Sequence, residues 1–224
     1  MTVLLVICMF ALFVALDFAI GRHRAVQPAR PLAVVVPETQ PALEPVWVSG
    51  YQLPEGLHYH RGHTWARVLD ANTVLVGLDD FARKLIGTAK GLRLPAVGSW
   101  LKQGRSGFQI QVNGRSAEFV SPVEGEVAEV NQHLPAAPSL ATDDPYGRGW
   151  VMKLRVSDLA GNLRNLLSGG LARLWMQGER EGLELRLMAL SGSVLQDGGE
   201  PVADFARHLP EEEWKRLVSD FLLT

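Results

Sequence analysis

Phe108-Gln109-Ile110-Gln111-Val112-Asn113-Gly114-Arg115-Ser116-Ala117-Glu118-Phe119 is the stretch that decides the fold. Apolar and polar residues alternate on both sides of an Asn-Gly pair, as in two strands that each bury one face. Asn-Gly between such segments specifies a two-residue type I′ hairpin, because that turn needs positive φ at both central positions. Moving outward, short strand patterns recur at Ser99 to Lys102, Gly107 to Val112, Arg115 to Val120, Gly125 to Val130 and Val151 to Val156, with Gly or Pro between them. Upstream, Thr64 to Val68 and Thr73 to Val76 flank a turn at Asp70-Ala71-Asn72. Asp79-Asp80 then caps a short helix, Phe81 to Leu85, which Gly87 ends. Closely spaced short strands with turn signals predict a compact, mainly β sandwich or barrel.

The two ends of the chain read differently. Val3 to Ile20 is apolar except for Asp17, just long enough to cross a bilayer as a helix. No Lys or Arg precedes it, while Arg22, Arg24 and Arg30 follow, which favours an uncleaved anchor over a signal peptide and places the remainder in the cytoplasm. The expectation is therefore a single-pass inner (plasma) membrane protein. Residues 22–53 are rich in proline and read as an extended tether, with Leu32 to Val36 a possible short strand and Val46-Trp47-Val48 a possible docking point. At the other end, Pro210 and the acids Glu211 to Glu213 open a helix to Leu223. Its apolar residues Trp214, Leu217, Val218, Phe221 and Leu222 share one face, for docking on its own domain or, as the sharper expectation, on a protein partner. Leu183 to Leu190 reads as a strand or a short helix.

Composition narrows the function. A net charge of -2 gives no electrostatic case for nucleic acid. Cys8 is the single cysteine, so neither an internal disulfide nor a cysteine metal cluster is available. His58, His60 and His63 form an H-x-H-x-x-H run without accompanying acids, and read as an ordinary surface segment, with metal as the lesser reading. No serine lies in a nucleophile elbow, and Gly169-Gly170 and Gly198-Gly199 read as turns. The expectation is a non-enzyme with no metal and no cofactor.

Between Tyr59 and Asp158 the motifs become specific. Tyr59…His63-Thr64-Trp65, Val76-Gly77-Leu78…Phe81-Ala82…Leu85-Ile86-Gly87, Ser121-Pro122-Val123-Glu124-Gly125-Glu126-Val127 and above all Asp144-Pro145-Tyr146-Gly147-Arg148-Gly149-Trp150 resemble the H protein of the glycine cleavage system, a lipoyl carrier. Thr64 stands where that family has an acid. The resemblance implies a barrel-sandwich hybrid with flanking helices (mainly β, α+β), and it places the lipoylated lysine on Gly114 at the hairpin tip, between Asn113 and Arg115. Gly114 has no side chain, and the guanidinium of Arg115 is not an acyl acceptor.

Four regions follow: an anchor at 1–21, a tether at 22–53, the H-protein-like domain at 54–176, and an extension at 177–224 with the amphipathic helix. The functional expectation is a membrane-anchored, non-lipoylated domain acting as a structural or interaction subunit, with protein partners at the membrane. Two alternatives stay open. One is an aminomethyl carrier modified at Lys84, Lys90, Lys102, Lys153 or Lys215. The other is an envelope transport adaptor, which the resemblance would require to carry a helical hairpin between the two halves of its lipoyl-like domain.

Overall fold

A computed structural model of the chain describes residues 43–191 and 205–223. The expected anchor, the tether up to residue 42 and the Gly198-Gly199 turn lie outside the described residues. In chain order the elements are β1 (Trp47–Val48), β2 (Tyr51–Gln52), β3 (His58–Tyr59), β4 (Thr64–Val68), β5 (Thr73–Leu78), α1 (Asp80–Ile86), β6 (Gly91–Arg93), β7 (Trp100–Leu101), β8 (Ser106–Val112), β9 (Arg115–Val120), β10 (Gly125–Val130), α2 (Leu140–Asp143), β11 (Met152–Arg155), α3 (Leu159–Arg164), α4 (Gly169–Ser191), a 3-10 turn (Phe205–His208) and α5 (Glu211–Leu222).

All strand pairs are antiparallel. A six-stranded sheet runs β3-β4-β5-β11-β10-β7, a three-stranded sheet runs β6-β8-β9, and β1 pairs with β2. The larger sheet buries Trp65, Val74, Val76, Val127, Met152 and Leu154, and the smaller one buries Phe108, Ile110, Ala117 and Phe119, all in one apolar core. This is the expected lipoyl-like barrel-sandwich arrangement, with helices around it. The strands expected between Thr64 and Val156 are present within a residue or two, and the possible strand Leu32 to Val36 lies outside the described residues. Gly77 is required by packing, since a Cβ there would run into the Trp65 indole across the β4–β5 pair.

Three expectations are corrected. The tether does not extend to residue 53. β1 and β2 form a hairpin fixed to α1: Gln52 N donates to Asp80 Oδ2 at 2.9 Å, Lys84 Nζ donates to the Gly50 carbonyl at 2.6 Å, and Tyr51 is fully buried on Phe81. Leu183 to Leu190 is neither a strand nor a separate short helix. It continues α4, which runs unbroken from Gly169 through residues 176 and 177 to Ser191 because Ala172, Met176 and Leu183 keep one face on the core.

The third correction concerns His63, expected at the surface and found completely buried. Its Nδ1 lies 2.8 Å from Asp79 Oδ2, its ring stacks on Phe81 at 4.0 Å, and Trp175 of α4 closes the other side at 4.9 Å. Asp79 has two further tasks: its Oδ1 caps α1 by accepting from Ala82 N at 2.9 Å, and its backbone N–H donates to the His63 carbonyl at 3.1 Å. Burial by itself pulls the His63 pKa down. The Asp79 carboxylate, aided by Glu179 at 3.7 Å, outweighs burial and holds it at about 9.

A histidine whose folded pKa lies above its ordinary 6.5 stabilises fully below that pH, and the contribution is lost as pH rises towards about 9. Chemical unfolding followed across that window is expected to show falling stability, and His63→Gln to flatten the trend. Asp79→Ala, which removes both the carboxylate that keeps the buried His63 protonated and the cap of α1, is expected to destabilise by about 3–5 kcal/mol.

Candidate functional site

The projecting β8–β9 hairpin is where the resemblance locates chemistry. Val112 pairs with Arg115, leaving Asn113 and Gly114 as the turn. Their φ values are 49° and 81°, the two positive angles a type I′ turn needs. A Cβ built on Gly114 meets nothing within 4 Å, so a side chain at this position would stand in open space.

The next residue is far from free. Arg115 Nη2 donates to the Leu209 carbonyl at 2.8 Å and Nη1 reaches the Ala206 carbonyl at 3.5 Å. Its Nε pairs with Glu211 Oε2 at 2.9 Å, and its guanidinium lies 5.4 Å from the centre of the Trp214 ring. Arg115 thus ties the hairpin tip to the C-terminal segment. The carbonyls of Ala206 and Leu209 sit just before α5; the first also accepts from Leu209 N at 3.2 Å, and the guanidinium fork serves both.

Trp214, Leu217, Val218 and Phe221, the four residues expected to meet a partner, are buried together with Leu222. Phe221 packs 5.3 Å from Phe81, and an Arg186–Asp220 ion pair joins α4 to α5. The apolar face of α5 is therefore occupied by the chain's own domain. Burying such side chains contributes roughly 1.5–3 kcal/mol each, enough to offset ordering a short helix.

The five lysines separate cleanly. Lys84 is buried on Gly50 and Asp80. Lys153 pairs with Glu129 at 2.8 Å, and Lys215 lies 3.5 Å from both Glu211 and Glu212. Lys90 and Lys102 are exposed. Of these, Lys90 is next to the hairpin, its backbone N–H donating to the Gln111 carbonyl at 2.8 Å. The three histidines do not converge on a metal. His60 Nδ1 accepts from Gly62 N at 3.0 Å, His63 belongs to Asp79, and no metal-holding group of His, Cys, Asp or Glu occurs among the described residues. Burial lowers the pKa of His58, and burial followed by the charges of His63 and Arg61 lowers that of His60.

Two features escaped the sequence reading. The His63–Asp79 pair carried half a signal, since Asp79 was legible as a helix cap. The Arg115 contacts carried none, because their partners lie about 90 residues downstream.

Comparison with known proteins finds the family model "Glycine cleavage H-protein" matching residues 57–177. A "Probable glycine cleavage system H protein" from Thermococcus gammatolerans is 41% identical over 120 residues, 54% of this chain and 89% of the relative. A "Glycine cleavage system H protein" from Coprothermobacter proteolyticus is 40% identical over 106 residues, 47% of this chain and 84% of the relative. The crystal structure of a glycine cleavage system H protein from Mycobacterium marinum superposes with a TM-score of 0.49 at 23% identity, covering 56% of this chain and 99% of that one. The hairpin tip falls inside the matched stretch, and α5 with its preceding turn falls outside it.

Replacing Arg115 with Met removes charge-assisted bonds to two carbonyls, a loss of about 1.5–3 kcal/mol to the hold on the C-terminal segment. Hydrogen exchange of the amides from 206 to 222 is expected to quicken in Arg115→Met while those of β4, β5 and β11 keep their protection. Unchanged exchange in that segment would mean that the apolar face of α5 suffices alone.

Proposed function

This chain belongs to the glycine cleavage H-protein family, and we propose that it is a non-lipoylated member acting as a structural or interaction subunit at a membrane. The observation that carries this reading is the hairpin tip. The β8–β9 pairing and its two-residue turn are in place, and the resemblance puts the family's lipoyl lysine on Gly114. A lipoyl amide needs a primary amine. Gly114 offers none, and Arg115 is committed to Leu209, Ala206 and Glu211. The residues at the tip do not fit the group, so no carrier step is assigned to them.

The anchor is part of the proposal. No helix of the described residues is long and apolar enough to cross a membrane, so anchoring rests on the sequence of residues 3–20. The arginines at 22, 24 and 30 support a cytoplasmic domain. Partners would then meet the barrel, its docked β1–β2 hairpin and the outer face of the covered tip.

One alternative has a specific observation behind it. Lys90 is an exposed amine on the strand entry beside the hairpin, so an aminomethyl carrier modified at Lys90 is the second reading. The transport-adaptor reading loses ground, since β8 and β9 are joined by Asn113-Gly114 alone and no helical hairpin separates them.

Intact-mass spectrometry on the chain purified from its native host is expected to give the unmodified mass. A lipoyl adduct would overturn the proposal, and its loss in Lys90→Arg would assign it. Gly114→Lys is expected to gain an adduct that the parent lacks, at a folding penalty of about 1–2 kcal/mol for a side chain at positive φ. For topology, a C-terminal fusion to a reporter active only in the cytoplasm is expected to be active. Silence there, with activity from an exported reporter, would reverse the orientation.

A further inference from the structure

Between the hairpin tip and the C-terminal segment lies a cavity of about 200 Å³, lined by Ile86, Val112, Asn113, Arg115, Arg207 and Trp214. Its residues sort by chemistry. Asn113, Arg115 and Arg207 are exposed or half-exposed and supply most of the wall, while the nearly buried Ile86, Val112 and Trp214 contribute a smaller apolar part of it. The lining holds two guanidinium groups and no carboxylate. Arg115 spends three of its five N–H donors on Leu209, Ala206 and Glu211, which leaves two. Arg207 has no ion-pair or hydrogen-bond partner among the described residues.

We propose that this cavity binds a small organic carboxylate with a flat or short apolar body, its acid group between Arg207 and Arg115 and its body against Trp214, Val112 and Ile86. A cavity of about 150 Å³ holds a benzene ring, so the volume here takes a ring with a carboxylate at its rim. Guanidinium groups match a carboxylate in charge and in planar geometry. Arg207 and Trp214 lie outside the stretch matched to the family, so the site is a property of this chain's extension. It does not depend on whether the chain is lipoylated.

Isothermal titration of the full-length chain in nonionic detergent with benzoate tests the idea, with benzamide and inorganic phosphate as controls. Saturable benzoate binding is expected, with benzamide and phosphate each at least tenfold weaker. Arg207→Gln, a change at an exposed residue, is expected to weaken benzoate at least tenfold and to leave benzamide and the melting temperature unchanged. Asn113→Asp keeps the turn chemistry but adds a negative charge to the rim, and the same tenfold loss is expected. No saturable benzoate heat, or benzoate and benzamide binding alike, would overturn the proposal. So would phosphate binding as tightly as benzoate, or an Arg207→Gln variant that behaves like the parent.

Discussion

The ion pair between His63 and Asp79 is the contact on which the peripheral elements converge. It lies in full burial at the open end of the β4–β5 pair, where the strands hand over to α1. Through Asp79 it starts the helix, and through the His63 ring it supports Phe81 and Trp175. Phe81 in turn carries Tyr51 of the N-terminal hairpin and Phe221 of α5. One charged pair therefore sets the position of elements from both ends of the described chain. Its geometry demands a residue able to hold φ near 57°, which histidine tolerates better than a β-branched residue would.

On the proposed reading, turn chemistry and carrier chemistry compete for one residue at the hairpin tip. A type I′ turn favours glycine at its second position because φ is positive there, whereas a carrier needs a lysine. With Asn113-Gly114 the chain has the best turn and no amine. The C-terminal segment then uses the neighbouring Arg115 as its fixing point. The turn residues Asn113 and Gly114 stay exposed, while Arg115 beside them is held by the C-terminal segment.

Much of the barrel was legible because its signals are local. Alternation in β8 and β9, the Asn-Gly turn, and the Asp79 cap all act within a few residues of one another. The amphipathic face of α5 was legible as a face, and of its two expected destinations the structure shows the chain's own domain. Pairings over long separations left no trace. Gln52 meets Asp80 28 residues on, and Tyr146 Oη donates to the Gln52 carbonyl 94 residues away, so the β1–β2 hairpin looked like the end of a proline-rich tether. His63 looked like one of three surface histidines because Trp175, its cover, belongs to a helix that opens on Ser168-Gly169-Gly170, a stretch that reads locally as a break.

The joint at the tip also has a time order. Arg115 and Leu209 are separated by 94 residues, whereas the β8–β9 hairpin closes over two. At roughly 5–20 residues per second, the ribosome takes about 5–20 s to deliver the cover after the tip. Hairpins form within about 1–10 μs. Each newly made molecule therefore passes through an interval in which the turn is complete and bare, with Arg115 still unclaimed by the segment that later holds it.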